Sequence, residues 1–300
     1  MGLEIRPLHA SFVAEVIGAP KTLEMDDATF QAIERAFYTH SILVFRDLDM
    51  SPAQHVAFTR RLGPTHVMEP LQYNLPGYPE IMVVSNVEDG SRPKGLKRAG
   101  WGWHSDGEDK IVPNAASFLY AIELPAEGGD TLYADMYAAF AALPEDVKRK
   151  IMGKRARASR IELHNVHYPH LPALTDRQKS ERPDVHHPMA RKHPKTGWTS
   201  LYVGRWCLDI DGMDAKEGRE LVAHLQEFAT QDRFVFRQRW RKGDAVLWDN
   251  RCTQHCATPF DDSKYRRHML RTTLEGEAEL LMAERPVVRP EPHRWAAAAE

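Results

Sequence analysis

The sequence predicts an α+β protein with a mainly β core, an antiparallel double-sheet jelly roll carrying helices on its outside. Three observations predict it. Apolar runs of strand length recur at residues 42–45, 81–84, 117–122 and 245–248. Few helical stretches separate the strands of the C-terminal third, so parallel strands joined by crossover helices do not dominate. Finally, His104 and Asp106 stand two residues apart with His255 far downstream, which asks for strands closing around one centre.

The elements follow in order. Residues 11–17 alternate loosely and read as a strand. Asp26 and Asp27 precede Phe30, Ile33 and Phe37, a helical spacing with acids at its favourable N-terminal end. Residues 42–45 form a buried strand. Ser51 caps a second helix with Pro52 in its first turn, and Gly63-Pro64 ends it. Residues 65–80 and 86–102 are rich in Pro and Gly and read as loops flanking a strand at 81–84. After the strand at 117–122, Gly128-Gly129-Asp130 makes a turn. Helices follow at 136–142 and 144–152. Residues 155–198 carry many His, Pro and Arg with poor periodicity, and are read as a lid-like insertion over the site. Residues 214–229 form an amphipathic helix with Leu221, Leu225 and Phe228 on one side. Strands at 234–236, 245–248, 256–257 and 267–274 complete the core, and residues 285–300 read as a loosely packed tail. The whole, 1–300, is taken as a single domain.

The chain has 300 residues, 42% hydrophobic and 27% charged, with a net charge of −2. This is an ordinary globular composition, without the basic excess that nucleic acid or an anionic membrane surface would call for. Three cysteines, Cys207, Cys252 and Cys256, argue against a disulfide framework. No apolar run approaches the roughly 20 residues needed to span a bilayer. The expectation is a cytoplasmic protein.

Trp103-His104-Ser105-Asp106 is the stretch that carries chemistry. In an extended strand residues i and i+2 share a face, so His104 and Asp106 could grip one ion. His255 supplies a third donor. Two His and one carboxylate with open positions are the ligand set of non-haem Fe(II) oxygenases. A rival zinc reading of Cys252, His255 and Cys256 lacks a fourth ligand. The histidines His164, His167, His170, His186, His187 and His193 read as loop surface. Arg92, Lys94, Lys97 and Arg98 read as either a solvated loop or an anion-attracting rim.

These motifs together resemble the Fe(II)/2-oxoglutarate-dependent dioxygenases of the taurine dioxygenase family. The resemblance runs through Ile42-Leu-Val-Phe-Arg46, Ala57-Phe-Thr-Arg-Arg-Leu-Gly-Pro64, the His104–Asp106 stretch, Gly128-Gly-Asp-Thr131, Asp135-Met-Tyr-Ala-Ala139, Leu201-Tyr-Val203, Trp240, Trp248-Asp-Asn-Arg251, His255 and residues 267–272. It implies a double-stranded β-helix. It implies that His104, Asp106 and His255 bind Fe(II), that 2-oxoglutarate and O2 are cosubstrates, and that Thr131 and Arg267 hold the far carboxylate of 2-oxoglutarate. An Asp at 106 implies hydroxylation, since related halogenases lack that acid.

Arg271 matches the position that meets the substrate's anionic group, with His66, Tyr73 and Trp101 as further substrate-binding candidates. The step from His255 to Arg267 is one residue longer than the resemblance leads one to expect. The extra residue is placed in the turn 261–264; were it after Tyr265, Arg266 would take the role. The substrate expected is a small anionic organic molecule: an aryloxy carboxylate, sulfonate, sulfate ester or phosphonate. Desaturation or cyclisation with the same cofactors, or a non-catalytic jelly-roll binder, are the alternatives. A homo-oligomer is implied by the resemblance.

Overall fold

In a computed structural model of the chain, residues 2–68, 71–89, 92–93, 95, 100–169, 172–278 and 280–290 are described. Their largest unit is an eight-stranded sheet. Its strands lie in the order Glu4–Pro7, Val13–Ile17, Ile42–Phe45, Ala245–Asp249, Ala116–Glu123, His268–Leu274, Tyr78–Ser85, Asn74–Leu75. A three-stranded sheet places Thr131–Asp135 between Val235–Gln238 and Thr253–Ala257.

The expectation of a wholly antiparallel core needs one correction. Val13–Ile17 pairs in parallel with Ile42–Phe45. The helix Asp27–His40 makes that possible, because two parallel neighbours need a long connection from one end of the sheet back to the other.

The central strands read as continuous apolar runs because both faces of the sheet are covered. Leu43, Phe45, Phe118, Tyr120, Ala245 and Leu247 join Phe30, Phe37 and Phe58 of the two N-terminal helices on one side. Val44, Leu119, Val246, Trp248 and Met269 face the other way and meet Tyr133 of the smaller sheet. The period of two thus splits each strand between two cores. Truncating Phe118, fully buried in the first of them, would cost about 3–5 kcal/mol.

Local signals set the helix ends. Ser51 and Gln54 form a reciprocal capping box at Pro52–Leu62. Asp26 caps Asp27–His40, and Ser41 closes it in the left-handed region with its N–H on the Phe37 carbonyl. Helix Ala215–Ala229, capped by Asp214, buries Val222 and Leu225 in a third core with Phe140, Leu201 and Ile210.

The lid-like stretch is more ordered than its sequence suggests. It holds the strands Arg155–Ala158, Val185–Pro188 and Ala190–Lys192 and the helices Arg160–His167 and Asp176–Ser180. Arg157 ties it together, reaching Asp209, Glu162 and Asp184 at 2.6–2.9 Å. Three of its histidines are not surface groups either, while His167 is half-buried and His186 exposed. His164, His187 and His193 are buried, and each finds a partner: the Pro172 carbonyl, the Glu108 carbonyl and Asp249. Burying an imidazole is tolerable once its polar edge is bonded. His170 lies outside the described residues.

The first part of the expected loose tail is held in place as well. Thr199 and Val287 exchange hydrogen bonds of 2.8 and 2.9 Å, and Arg289 pairs with buried Asp135. Residues 291–300 lie outside the described residues.

Candidate metal centre

The expectation of an extended strand over His104 and Asp106 is corrected by the backbone. The chain makes a single antiparallel bridge at His104, paired with His255, and turns from Asp106 onward. Gly102 and Gly107, with φ of +82° and +76°, break the extended run, since left-handed backbone is cheap only for glycine. The bridge brings the distant histidine in. His104 N–H donates to the His255 carbonyl at 3.1 Å and His255 N–H to the His104 carbonyl at 2.9 Å. His255 itself is anchored in Thr253–Ala257, opposite Tyr133.

His104, Asp106 and His255 present one donor atom each within 4.8 Å of one another. The two imidazole Nε2 atoms lie 3.9 and 4.0 Å from the same oxygen, Asp106 Oδ1. His104 Nδ1 is 2.8 Å from the Gly102 carbonyl. A proton donated there leaves the Nε2 lone pair facing Asp106. His255 Nδ1 is buried without a partner among the described residues. Burial lowers the pKa of both imidazoles, so they are neutral donors. Burial alone would raise Asp106, but the Arg271 guanidinium, aided by the hydrogen bond from Ser117, outweighs it and holds the carboxyl below its ordinary range. Two neutral nitrogens and one carboxylate oxygen fit a divalent first-row ion.

Groups whose roles the sequence does not reveal hold Asp106. Ser117 donates to Oδ2 at 2.6 Å. Asn250 Oδ1 accepts from the Asp106 N–H at 3.2 Å and from Trp248 Nε1 at 2.9 Å. Its amide nitrogen donates to Ser117 Oγ at 3.2 Å. The Trp-Asp-Asn-Arg motif was the only available signal, and it does not say what Asn250 touches.

Arg267 and Thr131, the residues expected to hold the far carboxylate of 2-oxoglutarate, are both buried. Arg267 is 7% exposed, makes no ion pair among the described residues, and has a buried Nε without a partner. Burial lowers its pKa to about 10. Arg266 is the opposite case, 64% exposed at its side chain and paired with Glu123 at 3.2 Å. Arg267 stands just before the strand His268–Leu274, and that strand's register shifts between His268 and Met269. The simple alternation expected from Arg267 to Arg271 therefore does not hold. Thr131 is buried, and its Oγ1 accepts from Trp240 Nε1 at 3.0 Å. Tyr133 stacks on His255, with a buried hydroxyl that has no partner among the described residues.

Arg271 reaches Asp106 Oδ1 at 2.9 Å and touches Met82 Sδ at 3.3 Å. His66 Nε2 lies 2.9 Å from Lys110 Nζ. Tyr73 ends the short 3-10 turn Leu71–Tyr73 and is half-buried. Trp101 is exposed, and its carbonyl accepts from Arg205. Trp103 packs on the core of the helix Ala215–Ala229. Lys94, Lys97 and Arg98 lie outside the described residues.

His193, Asp249 and Cys252 also lie close together, but their donors are engaged. His193 Nδ1 accepts the N–H groups of Lys195 and Thr196, each at 3.2 Å. Its Nε2 therefore donates to Asp249 at 3.0 Å, and Arg251 grips both oxygens of that carboxylate. This is an anchor for the 193–198 turn. The Cys252 thiol is engaged with Ser41 Oγ at 3.4 Å, and no cluster among the described residues joins Cys252 and Cys256.

A family profile described as taurine catabolism dioxygenase TauD, TfdA family matches residues 4–273. The chain is 34% identical over 292 residues to the alpha-ketoglutarate-dependent 2,4-dichlorophenoxyacetate dioxygenase of Cupriavidus pinatubonensis, covering 92% of this chain and 99% of that protein. It is 33% identical over 284 residues to the (S)-phenoxypropionate/alpha-ketoglutarate-dioxygenase of Sphingobium herbicidovorans, covering 91% and 95%. Among solved structures, AAD-2 in complex with Mn(II) and N-oxalylglycine superposes with a TM-score of 0.79 at 29% identity, covering 92% of this chain and 98% of that one.

Proposed function

The chain belongs to the TauD, TfdA dioxygenase family, and from that premise we propose that it hydroxylates a small anionic organic substrate, with an aryloxy carboxylate first among the candidates. It is an oxidoreductase that uses Fe(II), 2-oxoglutarate and O2. Sulfonates, sulfate esters and phosphonates share the required charge. The two phenoxy-acid relatives favour the aryloxy carboxylate.

In this reading His104, Asp106 and His255 would hold the iron. The bound iron supplies the oxidising chemistry that couples decarboxylation of 2-oxoglutarate, to succinate and CO2, with hydroxylation of a substrate C–H bond. The protein's own share is placement. Arg267 binds the far carboxylate of 2-oxoglutarate through its rigid fork, and Thr131 donates its hydroxyl proton to the same group. Arg271, with His66, Tyr73 and Trp101 around it, receives the substrate anion. Tyr133 and Trp248 wall the site with buried rings and keep water from it. Where the hydroxylated carbon bears a heteroatom, the product collapses and a C–O, C–S or C–N bond breaks. The two sheets are read as the halves of a double-stranded β-helix in one domain, with 155–198 as its lid.

Arg267 carries this reading. A buried guanidinium without an acidic partner is costly unless a ligand anion completes it. The test is anaerobic titration of the metal-free protein with Fe(II) and then 2-oxoglutarate, followed by visible absorption. A charge-transfer band that needs both additions and disappears in His104→Ala supports the chelate. Loss in Arg267→Ala but not in Arg266→Ala supports the carboxylate anchor. Succinate release with anionic aryl ethers, sulfonates, sulfate esters and phosphonates then identifies the substrate. No band in folded wild type would overturn the site assignment. A band without turnover on any of these would point to a binder.

A further inference from the structure

We propose that Glu108 is a positioning residue of the metal centre, which couples the peptide between two of its ligands to the Gly204–Trp206 segment beyond the lid. The inference rests on the assignment of His104, Asp106 and His255 as ligands. Glu108 is 3% exposed and has no salt-bridge partner among the described residues. Both of its oxygens are nevertheless used. Oε2 accepts the Ser105 N–H at 3.0 Å, and Oε1 accepts the Trp206 N–H at 3.1 Å.

The first of these bonds falls on a particular peptide. The Ser105 N–H and the His104 carbonyl belong to one rigid amide plane. That carbonyl accepts the His255 N–H at 2.9 Å. The plane joining His104 to the residue before Asp106 is therefore held on one edge by the third ligand and on the other by Glu108. Ser105 cannot twist away, because its Oγ donates to the Thr253 carbonyl at 2.8 Å. Rotation of this plane would swing the His104 side chain relative to Asp106.

The second bond explains a glycine. A Cβ on Gly204 would stand 1.7 Å from Glu108 Oε2 and 2.4 Å from its carboxyl carbon. Gly204 does not have the positive φ that would by itself call for glycine. The missing side chain is what lets the carboxylate reach the Trp206 N–H. The neighbouring backbone is fastened to the lid as well: the Glu108 carbonyl faces His187 Nε2 at 3.0 Å, and Asp109 meets Arg160 at 2.8 Å and Arg182 at 3.5 Å. Of these contacts, only the Glu108 carboxylate reaches the peptide between the ligands.

The test uses Co(II) as probe, with affinity read by calorimetry and geometry by the visible absorption of the bound ion. Melting and circular dichroism are followed on the same samples. Glu108→Gln can accept from only one of the two N–H groups, and should raise the Co(II) Kd about 10-fold or more and shift the absorption bands. Gly204→Ala pushes the carboxylate aside and should do the same. In Glu108→Ala/Gly204→Ala the new methyl enters vacated space, so the double variant should be no worse than Glu108→Ala alone. Asp109→Asn, which loosens only the lid, should leave the Kd within about twofold. Folded Glu108→Gln and Gly204→Ala with unchanged Kd and spectrum would overturn the proposal, as would additive losses in the double variant. Wild type that fails to bind Co(II) would instead overturn the site assignment beneath it.

Discussion

Arg271 Nη1 lies 2.9 Å from Asp106 Oδ1, the same carboxylate oxygen that faces both imidazoles. The guanidinium balances Asp106 charge for charge and also competes with any cation for its metal-facing oxygen. Arg271→Met should therefore lower the melting temperature of the metal-free protein, since a buried carboxylate loses its counter-charge at a cost of about 3–5 kcal/mol. Mn(II) should restore more stability to the variant than to wild type. If Arg271 also receives the substrate anion, substrate-dependent succinate release should fall about 100-fold while substrate-free consumption of 2-oxoglutarate persists. Differential scanning fluorimetry with and without Mn(II), and succinate assays, check the two halves separately.

Arg267 should separate stability from binding in the other direction. It is buried without an acidic partner among the described residues, so it is a standing desolvation cost in the ligand-free protein. Arg267→Met should leave the ligand-free melting temperature unchanged or higher. Its 2-oxoglutarate Kd should rise about 100-fold, the scale of a lost bidentate charged contact. Arg266→Met removes an exposed pair with Glu123 and should change either quantity little. Calorimetric titration with 2-oxoglutarate in the presence of Mn(II) measures both.

The contrast between these arginines shows where the sequence is legible. Helix Pro52–Leu62 could be read because its signals are local: a cap, a proline and a glycine stop within a dozen residues. The His104, Asp106 and His255 cluster could be read because two imidazoles and one carboxylate, set among the other motifs, form a recognisable donor set. Arg266 and Arg267 could not be told apart with certainty, because one residue in a turn moves every later side chain and nothing local records which turn absorbs it. The order within 155–198 was missed for a related reason. Its strands are three or four residues long, too short to show a period. Glu108 was silent altogether, since its meaning lies in Gly204 and in the peptide before Ser105.

Acid should destabilise the metal-free protein through buried histidines. His55 is enclosed between helix Pro52–Leu62 and the large sheet, near the Phe118 carbonyl and the Thr272 hydroxyl. Burial lowers its pKa to about 4, below the 6.5 of a free imidazole. The unfolded chain therefore takes up the proton first. The stability His55 contributes is complete above pH 6.5 and is lost as pH falls toward 4, by roughly 3 kcal/mol at the limit. His187, lowered to about 4 chiefly by burial, adds in the same direction. Melting curves from pH 7.5 to 4 should show this fall, and His55→Gln should flatten it. An unchanged slope in the variant would contradict the burial argument.

Trp240 sets the direction of the Thr131 hydroxyl. Its indole N–H donates to Thr131 Oγ1 at 3.0 Å, and an indole nitrogen cannot accept in return. The hydroxyl proton must then point elsewhere, and Thr131 lies on the same short sheet as His255 and Tyr133. In that geometry the Thr131 hydroxyl proton is free of Trp240, as the proposed role of donating to a 2-oxoglutarate carboxylate requires. Trp240→Phe keeps the ring and removes the orienting bond. Thr131→Val keeps the shape and removes the donor. The 2-oxoglutarate Kd should therefore rise about 3-fold in Trp240→Phe and about 10-fold in Thr131→Val, the usual scale of one neutral hydrogen bond. In Trp240→Phe/Thr131→Val the losses should not add, because the indole acts only through the hydroxyl that valine lacks. Additive losses would mean that Trp240 touches the ligand by another route.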